Sequence, residues 1–308
     1  MADSPRHYLW QNFNCTYTVC GLSNLSNRTP AIVLIHPIGV GLSKAFWQPF
    51  VAAWLQQSPN SVVYNPDLLG CGDSDMPAVA YSALDWAKQL KYFVENIVKQ
   101  PVILIVQGAS FSIAIELTKI ISNPQLIRGL VLAAPPAWST MTKAANPLVQ
   151  KLLWNLLFDS PFGLGQLFYL YARRRQFLAS FSQRQLFAEA ESVSDRWLDT
   201  LIVGSANLSS RYAVFSFLAG FWRDDYTLDI AEIKQPTLVV FGEKSSSISR
   251  EGLTETLQDR QNLYLKQLSQ GQVTVIEGRN VLPIESTSRF VEVVHDFWQK
   301  LPANSRDF

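Results

Sequence analysis

The chain has 308 residues, of which 48% are hydrophobic and 17% are charged, and its formal net charge is +1. This length and apolar content suit one large α/β domain with room for an inserted subdomain. The near-neutral charge gives no electrostatic support for a nucleic-acid partner. No uninterrupted apolar stretch approaches the ~20 residues that a membrane-spanning helix needs.

The cysteine pattern and the N-terminus bear on the compartment. Cys15, Cys20 and Cys71 show neither a disulfide framework nor a metal-type spacing. The first residues lack a basic region followed by an apolar stretch, so a secretory leader is not predicted. We therefore expect a cytoplasmic chain with reduced cysteines, without a metal or cofactor.

Short apolar runs alternate with amphipathic helical patterns along most of the chain. Residues 8–19 predict one or two antiparallel strands, and residues 24–29 are rich in turn formers. Buried strands are predicted at residues 31–35, 62–64, 102–106, 130–134, 236–242 and 273–276. Helices are predicted at residues 45–55, 82–98, 113–121, 251–268 and 287–301, with Ser82 as a cap. This alternation predicts a parallel sheet covered by helices on both faces.

The pattern changes at about residue 139, where helical periodicity continues without an obvious buried strand. We predict a core built from residues 1–138 and 231–308, with residues 139–230 inserted as a helical cap. Within the cap, residues 147–171 are very apolar, and three arginines follow at 173–175. Three interpretations stay open: peripheral contact with a membrane surface, an apolar lid over a pocket, or a helix pair packed on the core.

Three motifs follow predicted strands in a fixed order. The sequence HPIG lies at residues 36–39, DLLGCGDS at 67–74, and GASFS at 108–112 between a strand and a helix. The last motif has the strand–turn–helix context of a G-x-S-x-G nucleophile elbow. Together, the motifs resemble the α/β-hydrolase superfamily over residues 10–301. The stretches at 34–47 and 167–175 are most similar to cyanobacterial and chloroplast members of the dephytylase and pheophytinase type.

This resemblance implies an α/β-hydrolase fold, with a mostly parallel twisted sheet, helices on both faces and an inserted cap. It makes Ser110 the candidate nucleophile and assigns the two oxyanion donors to the N–H groups of Phe111 and Ile38. Residues 67–74 correspond to a structural turn in which Asp67 and Ser74 hydrogen-bond the backbone.

Pro37 and Ser112 replace glycines of the family pattern, which are tolerable changes, and two further departures affect the triad. Ser245 stands where the triad acid is expected, and Asn280, five residues before Glu285, stands where the histidine is expected. Asparagine cannot take a proton from a serine hydroxyl, and a serine without a general base is a poor nucleophile. Two replacement bases remain: His36, which in this family usually has a structural role, and Lys244, which would need a lowered pKa. His7 and His295 are expected outside the site.

The leading hypothesis is a pseudoenzyme-like member of the superfamily with a degenerate triad, weakly hydrolytic or non-hydrolytic, that binds an apolar small molecule. One alternative is a serine hydrolase of a lipid-like or phytyl ester that uses a relocated base such as His36. Another is a non-catalytic protein that docks partners through its cap, with Trp154 or Phe168 in the contact. The sequence does not determine the oligomeric state.

Overall fold

The computed structural model describes residues 4–21, 30–158 and 163–301, and its centre is one eight-stranded sheet. The strand order is β1-β2-β4-β3-β5-β6-β7-β8. The strands are β1 (Arg6–Trp10), β2 (Phe13–Gly21), β3 (Ala31–Ile35), β4 (Val62–Pro66), β5 (Val102–Gln107), β6 (Ile127–Ala133), β7 (Thr237–Gly242) and β8 (Gly271–Ile276). β1 and β2 pair antiparallel, and β2 joins β4 antiparallel, whereas the strands from β3 to β8 run parallel. The predicted mostly parallel sheet is confirmed; the predicted turn at residues 24–29 lies outside the described residues.

Helices cover both faces of the sheet. They are α1 (Gln48–Gln57), α2 (Ala83–Tyr92), α3 (Phe111–Ile120), α4 (Trp138–Met141), α5 (Pro147–Leu157), α6 (Leu164–Ala172), α7 (Arg175–Phe181), α8 (Asp195–Gly204), α9 (Arg211–Leu218), α10 (Thr227–Ala231), α11 (Leu257–Gln267), α12 (Leu282–Glu285) and α13 (Thr287–Lys300). The central strands are apolar on both sides, so one core forms under α2, α3 and α11 and a second under α1 and α13.

Local capping explains where two predicted helices begin. Ser82 accepts from the Asp85 N–H, and the Asp85 carboxylate accepts in return from the Ser82 N–H, so a capping box starts α2. After Tyr92 the helix widens into a π-helical turn, Phe93–Val98. α11 starts later than predicted because its own capping box is formed by Thr256 and Asp259.

The described part of residues 139–230 forms helices and no strand. This segment contacts the loop after β3 where Gly41 crosses α8. A Cβ on Gly41 would overlap the carbonyl group of Leu201, and a Cβ on Gly204 would overlap the Gly41 carbonyl. Two glycines therefore allow the two backbones to touch, which fixes the cap segment beside the end of β3. Across the described residues, no helix combines the length and apolar character needed to cross a bilayer.

Candidate functional site

The turn between β5 and α3 occupies the carboxyl edge of the sheet, where α/β folds build their sites. β5 ends at Gln107, residues Gly108–Ser110 form one 3₁₀ turn, and α3 begins at Phe111. Gly108 has a φ of +57°, whereas Ser110 has φ −64° and ψ −3°, an ordinary right-handed helical conformation. Only Gly108 in this turn therefore uses backbone conformations that side-chain-bearing residues avoid.

Ser110 is buried beneath the turn rather than displayed on it. Only 2% of the Ser110 surface is exposed to solvent. Its Oγ donates a hydrogen bond to the main-chain carbonyl of His36 at 2.8 Å. A main-chain carbonyl cannot accept a proton near neutral pH, so this bond holds the hydroxyl in place without activating it.

The two predicted oxyanion donors differ in their surroundings. The N–H of Phe111 already donates to the carbonyl oxygens of Ala109 and Gly108, as the 3₁₀ turn passes into α3. The Phe111 ring is fully buried and lies against Tyr264. Ile38 lies in the loop after β3, with its side chain in the core. The Phe111 amide is therefore used within the turn.

His36 is completely buried at the end of β3, and both of its ring nitrogens are engaged. Nε2 accepts from the N–H of Leu68 at 3.1 Å, and Nδ1 lies 2.9 Å from the carbonyl of Pro37. An acceptor role for Nε2 assigns the single proton of the neutral ring to Nδ1, which donates it to Pro37. Burial lowers the pKa of His36, against a smaller opposing effect of Asp67. This geometry is that of a structural histidine beneath the loop after β3.

The structure brings the loops that carry Ser245 and Asn280 together. Ser245 Oγ accepts from the Gly242 N–H at 2.9 Å and donates to the Arg279 carbonyl at 3.0 Å. The side-chain amide of Asn280 donates to the carbonyls of Ser246 at 3.0 Å and Gln185 at 2.7 Å. Both side chains therefore connect the loop after β7 with the loop after β8 by hydrogen bonds.

Further hydrogen bonds connect this region to the cap segment. The Asn280 N–H donates to the Leu186 carbonyl at 3.0 Å, and Glu285 accepts from the Ala188 N–H at 2.6 Å. Arg279 donates to the Arg184 carbonyl at 2.6 Å. The loop after β8 and the end of α12 are thus bound to main-chain groups of residues 184–188.

Gln107 and Gly108 are site residues that the sequence reasoning missed. The Nε2 of Gln107 donates to the Asn280 carbonyl at 2.7 Å, which joins the end of β5 to the loop after β8. Gln107 Oε1 is buried and has no hydrogen-bond partner among the described residues. A Cβ built on Gly108 meets no atom within 4 Å in the part of the chain that the structure describes, so open space adjoins this glycine. The apolar run ends directly before Gln107 and Gly108, and this was the sequence signal that could have indicated a turn beginning at Gly108.

Lys244 and the other histidines lie away from Ser110. Lys244 is exposed and pairs with Glu189 of the cap segment, and this hydrogen bond raises the pKa of its ammonium group. A lysine acting as a base for serine needs the opposite shift. His7 is exposed on edge strand β1, and the ring of His295 packs against Trp54 on α1.

The turn at residues 67–74 is held by one buried carboxylate. Asp67 accepts from Thr16 Oγ1 at 3.0 Å and from the Asp73 N–H at 2.9 Å, and it pairs with the ammonium of Lys44. The Asp67 carbonyl accepts from Ser74 Oγ at 3.1 Å. Within residues 4–21, 30–158 and 163–301, no three His, Cys, Asp or Glu side chains group as a metal site would require.

A comparison with family profiles agrees with this architecture. The profile of the alpha/beta hydrolase family matches residues 32–293, which is most of the chain. The chain belongs to the alpha/beta hydrolase family. A comparison with curated protein sequences finds no match.

Solved structures of family members are similar over nearly the whole chain. The bromoperoxidase from Bacillus anthracis has a TM-score of 0.73 at 17% identity, covering 96% of this chain and 100% of that chain. The enol-lactonase from Burkholderia xenovorans LB400 has a TM-score of 0.71 at 15% identity, with coverages of 96% and 100%. A thermophilic esterase from Thermogutta terrifontis has a TM-score of 0.70 at 15% identity, with coverages of 96% and 98%. At these identities, the similarity establishes the α/β-hydrolase fold.

Proposed function

We propose that this α/β-hydrolase family member binds an apolar small molecule at the end of β5 and does not hydrolyse esters through a serine nucleophile. In this proposal the nucleophile position of the family falls on Gly108, the acid position on Ser245 and the histidine position on Asn280. The main supporting observation is that Ser110 is buried in a helical conformation and that its hydroxyl donates a hydrogen bond to the His36 carbonyl.

The assignment of Gly108 follows from the geometry of the turn. In this family the nucleophile sits on a sharp, strained strand-to-helix turn that exposes its side chain. Gly108 follows β5 directly, has the positive φ and faces open space, whereas Ser110 lies two residues further on in a relaxed and buried conformation. The residue after the nucleophile supplies one oxyanion N–H, so that donor would be Ala109 rather than Phe111.

The absence of a base on Ser110 supports the non-hydrolytic part of the proposal. The hydroxyl of Ser110 is directed at a carbonyl oxygen, and the Nε2 lone pair of His36 is occupied by the Leu68 N–H. The amide of Asn280 is occupied by Gln185 and Ser246. Proton transfer from Ser110 would require breaking these bonds first, in a site that excludes water around Ser110.

The ligand-binding part rests on the surroundings of Gly108. Open space adjoins Gly108, and the partly buried side chains of Val40 and Leu42 belong to the neighbouring loop after β3. A mainly apolar molecule fits such a site. The resemblance to cyanobacterial and chloroplast members of the dephytylase and pheophytinase type favours a lipid-like ligand.

The first test is labelling with a fluorophosphonate probe, which reacts with activated serines. We expect no labelling of the folded wild-type protein or of Ser110→Ala, beside an active serine esterase as a positive control. Labelling of the wild type that disappears in Ser110→Ala would overturn the proposal. It would favour a serine hydrolase with a relocated base, which His36→Ala would then identify.

A gain-of-function variant tests the assignment of the three positions. Combining Gly108→Ser, Ser245→Asp and Asn280→His should introduce labelling that persists when Ser110→Ala is added. Labelling that instead depends on Ser110 would contradict the assignment of Gly108. Circular dichroism verifies that each variant is folded, because Asn280 also ties the core to the cap.

Binding is tested with a fluorescent long-chain fatty acid. Gly108→Asn fills the space beside the turn with a residue that tolerates positive φ, so it should weaken binding of the probe at least tenfold. Gly163→Asn is the matched control, since Gly163 also has a positive φ and open space but lies at the start of α6. Equal binding by both variants and the wild type would rule out the site at Gly108.

A further inference from the structure

The two helices α5 and α6 expose an apolar surface that the fold does not use. α5 contains no buried residue. Its Leu148 and Leu152 are 79% and 67% exposed, and Leu156, one turn further along, is also exposed. The spacing of four residues places the three leucines on one helix face.

α6 continues this surface. Leu164, Leu167 and Tyr171 are exposed, with Leu167 at 60%, and their spacings of three and four residues place them on one face. The backbones of the two helices approach closely, because a Cβ on Gly165 would overlap the carbonyl group of Leu157. We define seven exposed apolar side chains of the two helices as the hairpin surface: Leu148, Val149, Leu152, Leu156, Leu164, Leu167 and Tyr171.

The opposite faces of both helices are already packed. Tyr169 is fully buried and its hydroxyl is within 2.6 Å of Ser210 Oγ, while Trp154 packs against Phe221. The leucines of the hairpin surface are therefore not needed to attach α5 and α6 to the rest of the cap. Monomeric soluble proteins seldom expose so many large apolar residues side by side unless they dock something.

The sequence that contains the hairpin surface carries mostly basic residues, although Arg175, at the start of α7, pairs with Asp195 and Asp199 of α8. Between Glu116 and Glu189 the sequence contains one acidic residue, Asp159. The same interval contains the basic residues Lys119, Arg128, Lys143, Lys151, Arg173, Arg174, Arg175 and Arg184. Because the whole chain has a net charge of only +1, positive charge is concentrated in this part of it.

Two of these basic residues lie at the edges of the hairpin surface. Lys151 is exposed one position before Leu152 on α5. Arg174 is exposed after α6, with its guanidinium 5.8 Å from the centre of the Tyr171 ring. Apolar side chains flanked by lysine, arginine and an aromatic ring are typical of segments that lie in the interface of a membrane.

We propose that the hairpin surface docks the protein on an anionic lipid bilayer, with the leucines of α5 and α6 among the acyl chains and Lys151 and Arg174 at the head groups. The charge complementarity favours a bilayer over an apolar protein groove, because acidic residues are nearly absent from the surrounding sequence. This inference does not depend on the proposed function, since no residue of the hairpin surface belongs to the turn after β5.

The test is flotation of the full-length protein with vesicles made of equal parts phosphatidylcholine and phosphatidylglycerol, beside vesicles of phosphatidylcholine alone. We expect the wild type to float with the anionic vesicles, less with the neutral ones, and less at high salt. The variant Leu152→Gln/Leu167→Gln should bind at least tenfold more weakly, because it removes two inserted side chains. Lys151→Glu and Arg174→Glu should each weaken binding to the anionic vesicles about fivefold or more.

The matched control is Leu228→Gln/Leu253→Gln. These leucines are 78% and 66% exposed but lie outside α5 and α6, so this variant should float like the wild type. The proposal is overturned if the wild type does not float with the anionic vesicles, or if the two leucine pairs behave alike. It is also overturned if sedimentation shows a dimer that only Leu152→Gln/Leu167→Gln dissociates, because the surface would then join two copies of the chain.

Discussion

The hydroxyl of Ser110 donates a hydrogen bond to the main-chain carbonyl of His36 over 2.8 Å. This bond joins the turn after β5 to the end of β3, two neighbouring parallel strands. At the position where the motif GASFS predicts a nucleophile, the hydroxyl of Ser110 is thus held by a main-chain carbonyl. Ser110 bonds the main chain of His36 and not its ring, because the ring nitrogens bond Leu68 and Pro37 instead.

Ser110→Ala should therefore lower stability. Removing the hydroxyl leaves a buried carbonyl without its donor, which typically costs about 1 to 3 kcal/mol. Urea unfolding followed by circular dichroism measures this change. The control is Ser112→Ala, because Ser112 Oγ donates only to the Ala109 carbonyl three residues earlier and alanine favours the helix. Equal stability of Ser110→Ala and the wild type would contradict a structural role for this hydroxyl.

The stability of the protein should fall on mild acidification because of His36. Burial lowers the pKa of His36 in the folded state, so the unfolded chain binds the proton first as the pH drops. Stability is thus fully present above the ordinary histidine pKa of about 6.5 and declines below it, by at most ~1.4 kcal/mol per pH unit. Urea unfolding between neutral pH and the range where carboxylates titrate measures this slope.

His36→Gln is the informative variant for this slope. A glutamine side chain can donate and accept hydrogen bonds, as the neutral ring does, but it does not titrate. The variant should be less stable at neutral pH and should show a flatter pH dependence. His295→Gln on α13 should retain the wild-type slope. An unchanged slope in His36→Gln would assign the pH dependence to other groups.

Much of the fold could be predicted from the sequence because its signals are local. The apolar runs of β3, β5 and β7 and the cap of α2 at Ser82 depend on residues close together in the chain. The order of motifs after the strands then indicates the family. The conformation of the turn after β5 was harder to predict, because the motif GASFS does not show whether Gly108 or Ser110 takes a positive φ. Only the backbone conformation distinguishes them, through the φ of +57° at Gly108.

The partners of the site residues could not be predicted because they are distant in sequence. Asn280 was recognised as a departure from the family pattern, but its amide bonds Gln185, which lies 95 residues earlier. Glu285, five residues after Asn280, also binds the cap by accepting a hydrogen bond from the Ala188 N–H. Sequence spacing locates such residues along the chain, whereas their hydrogen-bond partners depend on how the cap packs on the core.

Asn280→Ala should loosen the cap. It removes the donors to the Gln185 and Ser246 carbonyls, at a typical cost of about 1 kcal/mol for each bond, and more where a carbonyl remains buried. Hydrogen exchange of the amides at residues 184–188 should accelerate, and unfolding should occur at lower urea. Asn280→Asp should be worse, because a carboxylate would face two carbonyl oxygens.

The control for Asn280 is Asn96→Ala. Asn96 is exposed, and its amide donates only to the Tyr92 carbonyl one turn earlier. Its loss should cost less than about 0.5 kcal/mol and leave exchange in the cap unchanged. Unchanged exchange at residues 184–188 in Asn280→Ala would show that the other contacts of this loop hold the cap without the Asn280 side chain.

Gly41→Ala should destabilise the protein more than any of these changes, because two effects add at this position. The φ of +76° costs an alanine about 1 kcal/mol or more, and the new Cβ would overlap the backbone of α8 at Leu201. Main-chain atoms on both sides cannot yield easily, so we expect a loss above about 3 kcal/mol and faster proteolysis within the cap.

Gly163→Ala separates the two effects, since Gly163 has a φ of +63° and its Cβ would meet no atom of the described residues within 4 Å. It should lose only the conformational part, and similar losses in both variants would mean that the cap moves freely away from Gly41.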